Sequence, residues 1–146
     1  MRRFRFRLES IRSLRAHSEN AARTVLAHEI AVGATRAAEL AEADAALASA
    51  RTGETGARTA ASLAARQAFL ERRERERDAA ALALRTQQQV VADRSADLAT
   101  AAAKRAALDR LRQRKQALHR RDAERAEDAL LGEVGLSRRG QLGGRA

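Results

Sequence analysis

Apolar residues in this chain fall on helical spacing nearly throughout. Leu8, Ile11 and Leu14 lie three apart, and Phe4 carries the same stripe one turn further back. The stripe thins through Ser18, Ala21 and Ala22, then resumes at Val25, Leu26 and Ile30 and continues through Gly33, Ala37, Leu40 and Leu47. A change of phase between residues 22 and 30 reads as a stutter, which locally unwinds a supercoil without ending the helix. Further on, Leu63, Leu70, Arg77, Leu84, Val91, Leu98 and Arg105 recur at every seventh residue, with Ala81, Ser95 and Ala102 on neighbouring positions. A sustained seven-residue spacing predicts a left-handed coiled coil. Leu108, Leu111, Leu118 and Ala129 extend the pattern as far as Gly132 and Gly135.

Helix-forming sequence clearly stops at one place inside this span, Thr52-Gly53-Glu54-Thr55-Gly56. Each glycine would cost roughly 1 kcal/mol in a helix interior, and glycine readily takes the positive φ of a C-cap or tight turn. The predicted elements are a helix over about 8–51, a turn over about 52–56 and a helix over about 57–131. Residues 132–146 form a flexible basic tail in this reading. One break between two long helices predicts an all-α fold, an antiparallel two-helix coiled-coil hairpin making up a single domain over 1–131. Folding at 53–56 pairs positions whose numbers add to about 110. That register sets Leu47 against Leu63, Leu40 against Leu70, Leu26 against Leu84 and Gly33 opposite Arg77. It also leaves residues 110–131 as a single overhanging helix.

Composition narrows the fold further. Hydrophobic residues make up 45% of the chain, more than half of them Ala, with three Phe and no Trp or Tyr. So little bulky side chain cannot fill a round core but can fill a narrow seam, as in coiled coils and long helices. There is no Cys, hence no disulfide framework or thiolate metal site. No apolar run approaches the ~20 residues that cross a bilayer, and the basic N-terminus lacks the apolar segment of a secretory signal.

The formal charge of +10 points to an acidic partner. Residues 1–15 carry six Arg against Glu9, and residues 104–125 carry nine Lys or Arg against Asp109, Asp122 and Glu124. In the expected hairpin both basic segments meet at the open end.

Phe4, Phe6, Leu8, Ile11 and Leu14 form the densest apolar group, interleaved with Arg. They either close the seam or dock a partner. Phe4 and Phe6 are two apart and cannot both face one helical neighbour, so one of them is expected to be left for another protein. An Arg-rich targeting segment is a further reading of this stretch. Phe69 lies beside Leu70 but off the heptad line, as a seam flank or as an exposed anchor together with Leu40. The run Glu71-Arg72-Arg73-Glu74-Arg75-Glu76-Arg77-Asp78 reads as a solvated face laced with ion pairs. His17, His28 and His119 read as surface residues. His17 and His28 lie about 16 Å apart along a helix, too far to share a metal. A two-helix hairpin has no concave pocket for a nucleophile and its base, so no catalytic residue, metal, cofactor or small-molecule ligand is expected.

The opening Phe4-Arg5-Phe6-Arg7-Leu8-Glu9-Ser10-Ile11-Arg12-Ser13-Leu14-Arg15 resembles the start of the flagellar export protein family FliJ. Arg121-Asp122-Ala123-Glu124-Arg125-Ala126-Glu127-Asp128-Ala129-Leu130 resembles that family's closing stretch. The resemblance implies a fold similar to the gamma-subunit stalk of rotary ATPases. It further implies a stalk in the pore of the hexameric flagellar export ATPase (FliI type), in contact with the export-gate protein FlhA and with export chaperones. By position, Phe4, Phe6, Leu8, Ile11, Leu14, Arg15, Arg112 and Arg121 would meet the ATPase, and Leu40 and Phe69 the gate. The place implied is the cytoplasm, peripheral to the inner face of the cell membrane at the flagellar base. Two other readings use the same Arg clusters: a basic coiled coil that binds nucleic acid, and the equivalent stalk of a virulence type III secretion system. Against nucleic acid, no recognition module is present, and aromatics interleave with Arg only at positions 4 and 6.

Overall fold

In the computed structural model the chain is all-α, with two long helices, α1 (Glu9–Thr52) and α2 (Ala60–Gly143). Described are residues 4–53, 56 and 59–143, with side chains as far as residue 132. Part of the expected turn, Glu54 and Thr55, lies outside the described residues, as do Ala57 and Arg58 at the expected start of the second helix, Met1–Arg3 of the basic N-terminus and Gly144–Ala146 of the tail. Two compact units are present: Ser18–Ala101, and Met1–His17 with Ala102–Ala146.

The Ser18–Ala101 unit is a helical hairpin. Glu19, Leu26, Gly33, Leu40 and Leu47 recur every seven residues on α1, and each is buried or half-buried. Leu70, Arg77, Leu84, Val91 and Leu98 do the same on α2. The expected stutter between 22 and 30 is absent. The seam keeps its phase because Glu19 occupies a packed position, while Val25 and Ile30 point away from it. Leu47 is the only buried hydrophobic residue among those described, and Glu19 is the buried charged one, held by Arg23 Nη2 at 2.7 Å.

Register is the main correction. Arg77 Nε meets Asp44 Oδ1 at 3.0 Å, so partner numbers add to about 121 rather than 110. Gly33 consequently faces Gln87 and not Arg77, with 3.8 Å from the position of an added Cβ to Gln87 Cγ. Gln87 Nε2 donates to the Glu29 backbone carbonyl at 3.0 Å and to its carboxylate at 2.7 Å. Arg51 Nη2 reaches Glu74 Oε1 at 2.7 Å. Helical periodicity alone leaves a slip of three turns open, since it returns the same faces to each other. Polar pairs across the seam do not tolerate that slip, since an unmatched half-buried donor or charge loses its partner.

Thr59 and Ser62 cap the start of α2 reciprocally: Ser62 N donates to Thr59 Oγ1 at 3.2 Å, and Thr59 N donates to Ser62 Oγ at 3.1 Å. This capping box, with Ser in the place of the usual Glu, precedes the start of α2 at Ala60. No glycine among the described residues takes a positive φ. The last carbonyls of α1 are met from α2 instead, Arg66 donating to Gly53 O at 3.2 Å and to Arg51 O at 3.3 Å. A cation at a helix C-terminus also complements the macrodipole.

At the other end, Gly132 and Gly135 lie within α2, which runs to Gly143. Two isolated glycines cost about 1 kcal/mol each there, less than the barrier a proline would raise, so helix continues where a stop and a flexible tail were expected.

Candidate functional site

In the unit formed by Met1–His17 and Ala102–Ala146, residues 4–8 precede α1 as a non-helical arm, and the first turns of α1 face α2. Glu9 supplies an acidic residue to the first turn of α1, favourable to its dipole, and Arg12 N donates to Leu8 O at 2.9 Å. Two carboxylates and three guanidinium groups then join the helices. Arg12 binds Glu9 at 2.7 Å and Asp109 at 3.1 Å, Arg112 Nε lies 3.5 Å from Glu9, and Arg105 Nε lies 3.6 Å from Asp109. The hydrogen bond from Arg12 holds the Glu9 carboxyl below its ordinary range, and the nearby Arg112 charge adds to this. Glu9 and Asp109 together hold the Arg12 guanidinium more firmly protonated than usual.

Because the arm is not helical, the rule that residues two apart diverge on a helix does not apply to it. Phe4 and Phe6 are both half-buried and both border the same grooves against α2. Phe4 meets the His119 ring edge-on, with centroids 5.6 Å apart. The arm, Leu111 and Lys115 line an open groove of about 780 Å³, where no pocket was expected. The overhang of α2 is correspondingly shorter than residues 110–131. Exposure becomes continuous only from about Ala117 onward, interrupted at Ala123.

The anticipated ATPase-facing residues divide into two groups. Phe4, Phe6, Leu8 and Arg112 come together at the arm. Ile11 (44% exposed) and Leu14 (65% exposed) look outward from α1, as does Arg15, and Arg121 is exposed further along α2. Ile11 and Leu14 share a helical stripe with Leu8 in sequence, yet the packed positions are Arg12 and Ala16. Sequence reasoning missed Glu9, Arg12 and Asp109. The signal available was their opposite charge at positions facing across the seam.

Leu40 and Phe69 belong to the Ser18–Ala101 unit. Leu40 is half-buried in the seam, whereas Phe69 is 41% exposed with the Arg73 guanidinium 5.2 Å from its ring centroid. In the observed register Phe69 comes opposite residue 52, about 18 Å along α1 from Leu40, so the two do not form one patch. Among the described residues no cluster of His, Asp and Glu suited to a metal occurs, and no helix is long and apolar enough to cross a membrane.

The family model for the flagellar FliJ protein matches residues 4–140. The chain belongs to the FliJ family. Searches of curated proteins and of solved structures give no match. The FliJ match begins at Phe4, the first residue of the arm, and spans both helices. Membership makes this a protein of flagellum assembly and protein export, in a family of non-catalytic coiled-coil components.

Proposed function

We propose that this FliJ-family chain is the non-catalytic central stalk of the flagellar type III export apparatus. It binds the hexameric export ATPase in the cytoplasm, promotes its activity, and links it to the export-gate protein FlhA and to export chaperones at the inner face of the membrane. The observation that carries this reading is the outward placement of Ile11 and Leu14 beside exposed Arg15. Apolar side chains that the protein's own packing does not use, bordered by cations, suit a partner surface with an apolar floor and an acidic rim. The folded arm with Phe4, Phe6, Leu8 and Arg112 supports that surface from beside it. Family membership favours the flagellar apparatus over a virulence secretion system.

Replacing Ile11 and Leu14 with Ser tests the proposal, because neither side chain is needed for the seam. The expected result is loss of ATPase stimulation and motility with helicity retained. Undiminished stimulation rejects the site. Nucleic-acid binding through the same Arg clusters is the competing reading, and steeply salt-dependent binding to random duplex DNA at physiological salt would favour it.

A further inference from the structure

Arg110, Arg114, Leu118, Arg121 and Arg125 recur at intervals of four, four, three and four residues along α2. This spacing places them in one row on one face of the helix. All five are exposed, with Leu118 at 56% and the Arg125 side chain at 80%. The row is distinct from the seam face, which here carries Leu108, Asp109 and Arg112. Among the described residues Arg110, Arg114 and Arg121 have no ion-pair partner, and Arg125 has only a 3.7 Å contact with Asp122. Like charges four residues apart, as at Arg110 and Arg114 or Arg121 and Arg125, destabilise a helix. Among the described residues only the Arg125–Asp122 contact offsets that repulsion, which leaves the row open to anions from outside the chain.

We propose that this row docks an acidic amphipathic helix of a partner protein. Carboxylates at successive turns of a helix repeat at about 5.4 Å, close to the rise within the pairs Arg110–Arg114 and Arg121–Arg125, and the two turns between Arg114 and Arg121 bracket Leu118 in a row of about 22 Å. An apolar residue at the centre of the partner helix would cover Leu118, a contact that a line of phosphates would leave unused. A helix–helix contact of this kind uses charge for register and partner choice, and the central apolar contact for affinity. Arg121 also belongs to the proposed ATPase contact, but the docking of an acidic helix does not depend on that reading, and its test uses no ATPase.

The test measures binding of the full chain, by fluorescence anisotropy, to a labelled synthetic helix bearing Glu at i, i+4 spacing around a central Leu. A scrambled peptide of the same composition, a random DNA duplex and phosphatidylserine vesicles serve as comparison probes. Arg114→Glu is expected to weaken peptide binding about tenfold and Leu118→Ser about threefold, both with unchanged circular dichroism. Arg120→Glu makes the same charge change off the row and is expected to leave binding intact. Equal loss from Arg120→Glu, equal binding of the scrambled peptide, or tighter binding to DNA or vesicles than to the ordered peptide overturns the proposal.

Discussion

Arg77 Nε lies 3.0 Å from the Asp44 carboxylate, and that pair, not the apolar stripe, reports how α1 and α2 are aligned in the Ser18–Ala101 unit. Asp78 also contacts Arg77, at 3.1 Å, and the two carboxylates, Asp44 foremost, hold the guanidinium more firmly protonated than usual. Although each contact is exposed and individually weak, only one register satisfies it together with the Gln87–Glu29 bonds.

The chain has no cysteine, which permits a direct measurement of register. An Asp44→Cys, Arg77→Cys double variant is expected to cross-link efficiently with a short bismaleimide. A Gly33→Cys, Arg77→Cys pair should not, since ten residues separate Gln87, the neighbour of Gly33, from Arg77, about 15 Å along α2. Preferential linkage of the second pair would restore the apolar register and overturn the observed one.

Gly33 has room for a methyl group. An added Cβ would make an ordinary 3.8 Å contact with Gln87 Cγ, and the backbone is helical. Gly33→Ala should therefore raise stability by about 0.5–1 kcal/mol through the lower entropy of the unfolded chain. Thermal melting followed by circular dichroism measures this, and a decrease would mean the helices approach more closely than described.

Leu47 and Gln87 test which kind of contact holds the seam. Leu47→Ala removes the one buried hydrophobic residue among those described and should cost about 2 kcal/mol, the lower end for such truncations, because a two-helix seam can collapse around the gap. Gln87→Ala removes two bonds to Glu29 and should cost about 1 kcal/mol. Urea titration distinguishes them, with Leu47→Ala expected to show the larger shift in midpoint.

The Glu9 carboxyl has a pKa lowered from 4.5, chiefly by its hydrogen bond from Arg12. A lowered folded-state pKa contributes stability that is fully present above the unfolded value and is lost as pH falls through the folded one. The contacts of Glu9 with Arg12 and Arg112 should thus persist at neutral pH and loosen below about pH 4.5. A titration of the Glu9 side-chain carbon by NMR should give a midpoint below 4.5, the ordinary glutamate value. A midpoint at or above it would contradict the network.

Much of the fold was legible in the chain before any coordinates. The heptad from Leu70 to Arg105 and the break after Thr52 defined two helices, because helical periodicity and glycine punctuation are local properties. The Thr59–Ser62 cap was not legible because it uses Ser where Glu is the usual signature, and the end of α2 was misread because isolated glycines weaken a helix without stopping it. At the candidate site, the resemblance carried by Phe4 to Arg15 indicated the family, but not which side chains face outward. Ile11 and Leu14 continue an apolar stripe by spacing, yet Arg12 occupies the seam because Asp109 waits across it.

By itself, the sequence determined helix, seam and family, each of which depends on residue types a few positions apart. Tertiary structure alone decided the alignment of the two helices and the exposure of Ile11 and Leu14. Helical periodicity returns the same faces to each other after a three-turn slip, so the apolar pattern by itself discriminates little between alignments. Choice then falls to bonds such as Arg77 to Asp44 and Gln87 to Glu29, whose partners lie dozens of residues apart and meet only once the helices have packed.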